Sequence, residues 1–213
     1  MKTKATWYYD LISPYAYLQA ASLPALADRM DITAVPILFA GVLRHWGHLG
    51  PAEIPAKRLF IYRHAMWRAE QRGLSFRMPP AHPFNPLHGL RLLTAMRATP
   101  AQALTALAYV FGEGGAVDTP AGMAGLAARL GASPETVALA TGETAKSALR
   151  DATDTAIAAG VFGVPTFVVD GRLFWGDDSE GMLRSYLDDK AGFDHAEAAR
   201  IATLPEAASR KRA

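Results

Sequence analysis

A serine followed by a proline ends the aromatic run Thr6-Trp7-Tyr8-Tyr9-Asp10-Leu11, and Ser13-Pro14 is the sharpest chemical signal in the chain. A hydroxyl residue at the N-cap, with proline at the first helical position, is a typical helix start. The orphan N–H groups there favour an anion and lower the pKa of a thiol placed nearby. Ser13 can therefore be a helix cap, a thiolate-holding group, or both. The chain has no cysteine, so disulfides, thiolate metal sites and a self-contained dithiol centre are excluded. Any thiol chemistry at Ser13 must use a thiol from another molecule.

A second signal is Gly160-Val161-Phe162-Gly163-Val164-Pro165-Thr166. A Val-Pro bond at a strand start is a candidate cis-proline site, because X-Pro loses most of the trans preference. Such a turn would leave the backbone of Val164 free to pair with an extended, peptide-like ligand. Asp177-Asp178 stands at a helix start, where dipole stabilisation alone would select acids. The six histidines show no ligand-like spacing with carboxylates, and His45 with His48 is a weak metal hint, so no metal site is expected. Trp7, Tyr8, Tyr15 and Trp46 could line a pocket for an aromatic substrate or belong to the core.

The elements around these residues alternate in a readable way. Residues 6–11 read as a buried strand, and a helix follows Ser13, with Leu18, Ala21, Ala25 and Leu26 on one face and a kink expected at Pro24. Residues 32–39 read as a second strand, where Pro36 favours an edge position or a strand end. Residues 41–55 are rich in glycine, histidine and proline and read as an irregular, ligand-holding stretch. Helical patterns then occupy 56–71, 86–98, 101–111, 120–130, 134–140 and 143–159, separated by glycine or proline. Residues 165–175 form a hairpin around Asp170-Gly171, and a closing helix is expected over 178–188. Strand, helix, strand, helical block, hairpin and helix make an α/β fold, a thioredoxin-like mixed sheet with a large all-helical insertion. The expected division is 1–42 with 158–192 for the thioredoxin-like part, 43–157 for the insertion, and 193–213 for a tail.

The chain has 213 residues, half of them hydrophobic and a fifth charged, which suits a compact protein with a sizeable core. With 22 basic and 20 acidic side chains the net charge is only +2, and the arginines form no long runs, so nucleic acid is not an expected partner. The basic cluster Arg210-Lys211-Arg212 reads as a solvated end. No apolar window reaches membrane-spanning length, and the first ten residues lack an apolar signal region, so no membrane association and a cytoplasmic location are expected.

Four pieces in order, Tyr9-Asp10 through Leu18, Pro55-Ala56-Lys57-Arg58, Gly160 through Thr166, and Leu173 through Asp178, resemble the DsbA-type branch of the thioredoxin superfamily. Within it the chain is most similar to 2-hydroxychromene-2-carboxylate isomerases and kappa-class glutathione transferases, and the likeness runs to about residue 190. The resemblance implies that Ser13 and Ala16 stand where dithiol members carry their two cysteines, so disulfide exchange is lost. It implies that Ser13 donates a hydrogen bond to the thiolate of bound glutathione, a role that suits an alcohol with no evident neighbouring base. Lys57 matches a lysine that pairs with a glutathione carboxylate. Val164 matches the residue whose main chain pairs with the cysteinyl part, and Asp177 and Asp178 match the pair that receives the γ-glutamyl end. His48 follows Gly47 where kappa-class relatives have asparagine, and Ser179 replaces a common arginine. Asn85 matches an asparagine that can reach substrate or cap a helix.

The reading that follows is a glutathione-dependent isomerase acting on an aromatic α-keto acid by reversible thiolate addition. Ser13 would be catalytic, glutathione the cofactor and a small aromatic molecule the substrate, with Tyr15 and Asn85 near it. Kappa-like glutathione conjugation or peroxide reduction is the alternative enzyme, and a cysteine-free binding module the alternative without turnover. The resemblance also implies a homodimer.

Overall fold

The computed structural model describes residues 2–207, and the basic cluster at 210–212 lies outside them. Among the described residues a four-stranded sheet runs in the order β2-β1-β3-β4. Strand β1 (Thr3–Tyr9) is central, parallel to β2 (Met30–Pro36) and antiparallel to β3 (Thr166–Val169), which pairs antiparallel with β4 (Arg172–Trp175). Trp7, Tyr8 and Tyr9 are all buried, as expected of a strand covered on both faces. Pro36 ends the edge strand β2, where its missing N–H leaves no ladder bond unmade. At the β3–β4 turn Asp170 and Gly171 have φ of 49° and 76°, the left-handed pair that a two-residue hairpin of matching twist demands.

Helix α1 (Pro14–Ala20) leaves β1 directly, with Ser13 at its N-cap. The expected kink at Pro24 is instead a break. A separate short helix, α2 (Leu23–Leu26), starts there and carries Pro24 in its first turn, where a missing N–H costs nothing. Residues 41–55 are not irregular throughout. Helix α3 (Phe39–Trp46) occupies the start of that stretch and ends at Gly47 in the left-handed conformation, φ 66°. Its N-cap residue, Leu38, offers no side-chain cap, and the Asp10 carboxylate accepts from Phe39 N (2.8 Å) across the chain instead. Only residues 47–54 are irregular, interrupted by a 3-10 turn at Pro51–Glu53.

Six helices between α3 and β3 form the insertion among the described residues: α4 (Pro55–Gln71), α5 (Leu87–Ala95), α6 (Pro100–Phe111), α7 (Pro120–Leu130), α8 (Pro134–Thr141) and α9 (Glu143–Ala158). Thr99, Thr119 and Ser133 each cap their helix with a side-chain oxygen and are followed by proline, so these starts fall within a residue of expectation. Helix α5 stops short of its expected end because Arg97 turns left-handed, φ 49°. After β4 a 3-10 turn (Asp177–Ser179) leads into α10 (Glu180–Asp188), and α11 (Ala196–Ile201) follows. Trp7, Leu18 and Phe167 from the sheet and α1 share one buried cluster with Leu90, Leu107 and Phe111 of the insertion. A smaller cluster of Tyr8, Ile37, Val42, Ala156, Val161 and Val164 supports the segment before Pro165.

Candidate functional site

The site begins at the turn that carries the chain from β1 into α1. Asp10 is buried and accepts from Ile12 N (3.0 Å) through one oxygen and from Phe39 N through the other, while Ser13 N donates to the Asp10 carbonyl (3.1 Å). Burial pushes its carboxyl up to about 7, with hydrogen bonds from Phe39, Ile12 and Leu11 opposing the rise. The same turn is held from the other side by His82, whose Nε2 donates to the Ile12 carbonyl (2.8 Å). Burial lowers the His82 pKa, and Tyr62 Oη lies 2.9 Å from its Nδ1.

Ser13 Oγ accepts from Ala16 N at 3.2 Å, which is the cap, and donates to the Val164 carbonyl at 3.4 Å. The second contact is near the limit of a hydrogen bond, so the hydroxyl proton is weakly engaged. The Val164–Pro165 bond is cis, as the sequence suggested. Ser13 and Val164, far apart in sequence, are thus brought together. Gly163 lies against the indole of Trp175, where a Cβ would come within 2.3 Å of Nε1. Gln19 accepts from Trp7 Nε1 (2.7 Å) and donates to the Gly176 carbonyl (2.9 Å), and Gly176 N donates to the Pro165 carbonyl (2.8 Å). This buried chain of bonds joins β1, α1, the cis-proline turn and the segment that carries Asp177 and Asp178.

Asp177 is buried against two guanidinium groups, Arg68 Nε and Arg72 Nη1, each at 2.7 Å. The N–H groups are not aligned on its oxygens, and Arg72 Nη1 donates to the Leu18 carbonyl (2.8 Å), so these contacts are charge pairs. Burial raises the Asp177 pKa, with Arg72 and Arg68 opposing. Asp178 next to it is exposed. An open pocket of about 600 Å³ brings Arg68, Arg72 and Arg184 together with Asp177, Asp178 and Glu180. Its mixed charges suit a ligand with both an ammonium and a carboxylate.

Tyr15 joins the two halves. Its hydroxyl lies 2.9 Å from His64 Nδ1, and its phenol feels the charges of Arg68, Asp177 and Asp178. Burial raises the Tyr15 pKa. The remaining sequence candidates stand further out. His48 and Lys57 are exposed and make no side-chain hydrogen bond to another described residue. Asn85 is exposed, stands one residue before the α5 N-cap Pro86, and its Oδ1 accepts from Leu87 N (3.1 Å). Trp7 belongs to the core, stacked on Tyr9, and Trp46 Nε1 donates to the Val161 carbonyl (3.0 Å).

Sequence reasoning missed Asp10 as a buried carboxylate, His82, and the face of α4 that carries His64 and Arg68 and is continued by Arg72 at the C-cap. The last had a local signal, since positions 64, 68 and 72 recur every four residues and share one helix face. Among the described residues no group of three or more histidine, aspartate or glutamate side chains is arranged to hold a metal ion, and no helix is long and apolar enough to cross a membrane.

Residues 6–188 match the family model described as a DSBA-like thioredoxin domain. The chain is 29% identical over 192 residues to a 2-hydroxychromene-2-carboxylate isomerase of Sphingobium xenophagum, a match that covers 86% of this chain and 97% of that protein. It is 32% identical over 76 residues to glutathione S-transferase kappa 2 of Caenorhabditis elegans, a match that spans only about a third (34%) of each chain. A solved 2-hydroxychromene-2-carboxylate isomerase superposes with a TM-score of 0.76 at 23% identity, covering 93% of this chain and 98% of the other.

Proposed function

The chain belongs to the DSBA-like thioredoxin domain family, and on that premise we propose that it is a glutathione-dependent isomerase of small aromatic α-keto acids of the 2-hydroxychromene-2-carboxylate kind. The observation that carries the reading is the Ser13 hydroxyl, whose proton rests on a 3.4 Å contact with the Val164 carbonyl and is free to turn to a better acceptor. The isomerase relative, matched over nearly its whole length, supports the reaction class. The kappa-class relative supports glutathione.

The residues present fit glutathione. A loosely held donor at Ser13 and the Val164 main chain at the proline turn suit the cysteinyl unit, and the pocket of paired acids and guanidiniums suits the γ-glutamyl unit. Glutathione, when bound, supplies a thiolate that adds reversibly to the conjugated double bond of the substrate and lets that bond rotate. Ser13 Oγ would donate its proton to the sulfur, holding it as the anion. The Val164 main chain would pair with the cysteinyl unit. Asp178 would face the γ-glutamyl ammonium, while Asp177 contributes through Arg68 and Arg72, which it anchors. Lys57 and His48 would reach a carboxylate and a hydrogen-bond acceptor at the ligand's exposed edge. Tyr15 and Asn85 would border the aromatic substrate. Ala16 is fully buried and has no sulfur, so Ser13 works without a resolving partner.

The test measures glutathione binding by calorimetry and the conversion of 2-hydroxychromene-2-carboxylate to the benzylidenepyruvate, in wild type and Ser13→Ala. Binding should survive in the variant while turnover falls about 10²-fold or more, the scale of losing one donor to a developing charge. Wild-type protein that binds no glutathione overturns the reading. Conjugation without isomerisation would favour a kappa-like transferase, the activity named for the relative matched over a third of its length.

A further inference from the structure

Tyr15 and His64 form a pair that the thiolate site alone does not call for. Tyr15 is two residues beyond Ser13, half-buried, and its hydroxyl is 2.9 Å from His64 Nδ1. The imidazole is held between two rings of its own helix. Phe60 stacks at 5.5 Å between centroids with 14° between planes, and Trp67 at 6.0 Å and 24°. Phe60 and Trp67 are 66% and 54% exposed, so they are not core residues, and the ring they share is the imidazole. A ring stacked in this way keeps its plane, and its Nδ1 stays aimed at the phenol. Burial holds the phenol in its protonated form, with Asp177 and Asp178 acting in the same direction and Arg68 against it.

We infer that Tyr15 is the proton donor to the substrate ketone oxygen and that His64 is its positioning residue. The inference rests on the proposed isomerase reading, which supplies the nucleophile and the conjugated substrate. With the proton on Nδ1, His64 donates to Tyr15 Oη and leaves the phenol O–H free to point at the substrate. Once the hemiketal ring has opened, its C2–oxygen bond breaking and the C2 hydroxyl proton passing to the substrate's phenol oxygen, the substrate is a conjugated ketone. As its double bond gains a bond to sulfur, the double-bond pair shifts to join the carbonyl carbon and the carbonyl pair moves to the ketone oxygen, which receives the Tyr15 proton. When the carbon–sulfur bond breaks, the oxygen returns that proton to Tyr15 and the double bond reforms. No proton or electron is consumed over the cycle. A donor placed at developing charge in a half-buried site acts where water screens it least.

The experiment compares wild type, Tyr15→Phe, His64→Leu and His64→Asn in steady-state isomerisation, glutathione calorimetry and circular dichroism. Nitrogen-15 NMR of the ligand-free wild type reads the His64 tautomer. Tyr15→Phe should lower kcat about 10²-fold, the usual scale for a general acid, with KM and glutathione affinity nearly unchanged. His64→Leu should lower kcat in the same way but less. His64→Asn should restore part of the loss, because its amide nitrogen can stand near the Nδ1 position. The NMR spectrum should show Nδ1–H. An unchanged kcat in Tyr15→Phe, a loss carried by KM alone, or an Nε2–H tautomer with a fully active His64→Leu overturns the inference. If wild type isomerises and Tyr15→Phe does too, only this inference fails. If wild type neither binds glutathione nor isomerises, the isomerase reading fails and this one with it.

Discussion

The buried carboxylate of Asp10 makes stability depend on pH in a direction that can be worked out. Its pKa stands at about 7 in the folded protein, raised from 3.8 by burial. An acid whose pKa is raised on folding binds its proton more tightly in the native state. Its contribution to stability is therefore complete below the unfolded pKa and is lost as the pH rises through the folded one. Integrating between pH 5 and pH 8 gives a loss of roughly 3 kcal/mol from this group alone. Two other groups overlap the range. His82, whose pKa burial lowers, loses stability as the pH falls, and Asp177 acts in the same direction as Asp10. The clean measurement is therefore the difference between wild type and Asp10→Asn, in which both other groups cancel. Asparagine cannot titrate, although its amide nitrogen cannot accept from Phe39 N or Ile12 N as a carboxylate oxygen does. Urea unfolding at half-unit steps from pH 5 to pH 8 should show the stability difference moving by roughly 3 kcal/mol in favour of the variant as the pH rises. A difference that stays flat, or that moves the other way, refutes the burial argument and with it the claim that Asp10 is a desolvated anchor of the Ser13 turn.

Two further outcomes follow from charge and from space. Removing the Asp177 carboxylate in Asp177→Ala takes their buried partner from Arg68 and Arg72 and leaves them the exposed Asp178 of the same pocket, which should cost about 2 kcal/mol in urea unfolding and weaken the proposed glutathione binding by calorimetry. Gly122 sits where a Cβ would fall 1.8 Å from the Ala116 carbonyl oxygen, a backbone atom that cannot swing aside. Gly122→Ala should therefore displace the start of α7 and lower stability by about 2 kcal/mol or more, with a matching fall in Tm, while a silent substitution would show that the turn can reopen.

The parts legible in the sequence were those whose cause is local. The starts of α6, α7 and α8 each carry their own Ser or Thr cap and proline, and the hairpin carries its own Asp170-Gly171 turn, so a short window holds the whole reason for each. Ser13 and Val164 were legible as separate features for the same reason, but their approach to 3.4 Å is a property of the sheet. Helix α3 was not legible because its first N–H is capped by Asp10, far away in sequence, while Leu38 at its own N-cap offers nothing. The Asp177 pairs were hidden in the same way, since Arg68 and Arg72 lie at the end of the first helix of the insertion and its C-cap, and the acid follows the last strand. The break before Pro24 was a question of balance. A kinked long helix and two short ones share one sequence signal, and Ser22 serves equally as a residue within a helix or before one.

On the proposed reading, helix α4 is what lets the Ser13 turn serve a borrowed thiol. Behind Ser13, Ala16 is a buried methyl group that spends its N–H on the Ser13 oxygen, so no side chain of this turn supplies sulfur. Capture of a free thiol, as proposed, would then depend on groups that hold the rest of the molecule, and α4 supplies these from outside the sheet. The face of α4 that carries His64 and Arg68, continued by Arg72 at the C-cap, meets α1 through Tyr15 and meets the segment after β4 through Asp177. One helix of the insertion thus touches both ends of the site. A change on that face, such as loss of the Arg68 charge, should alter ligand affinity without disturbing the Ser13 cap, because the cap is made entirely within residues 13–16.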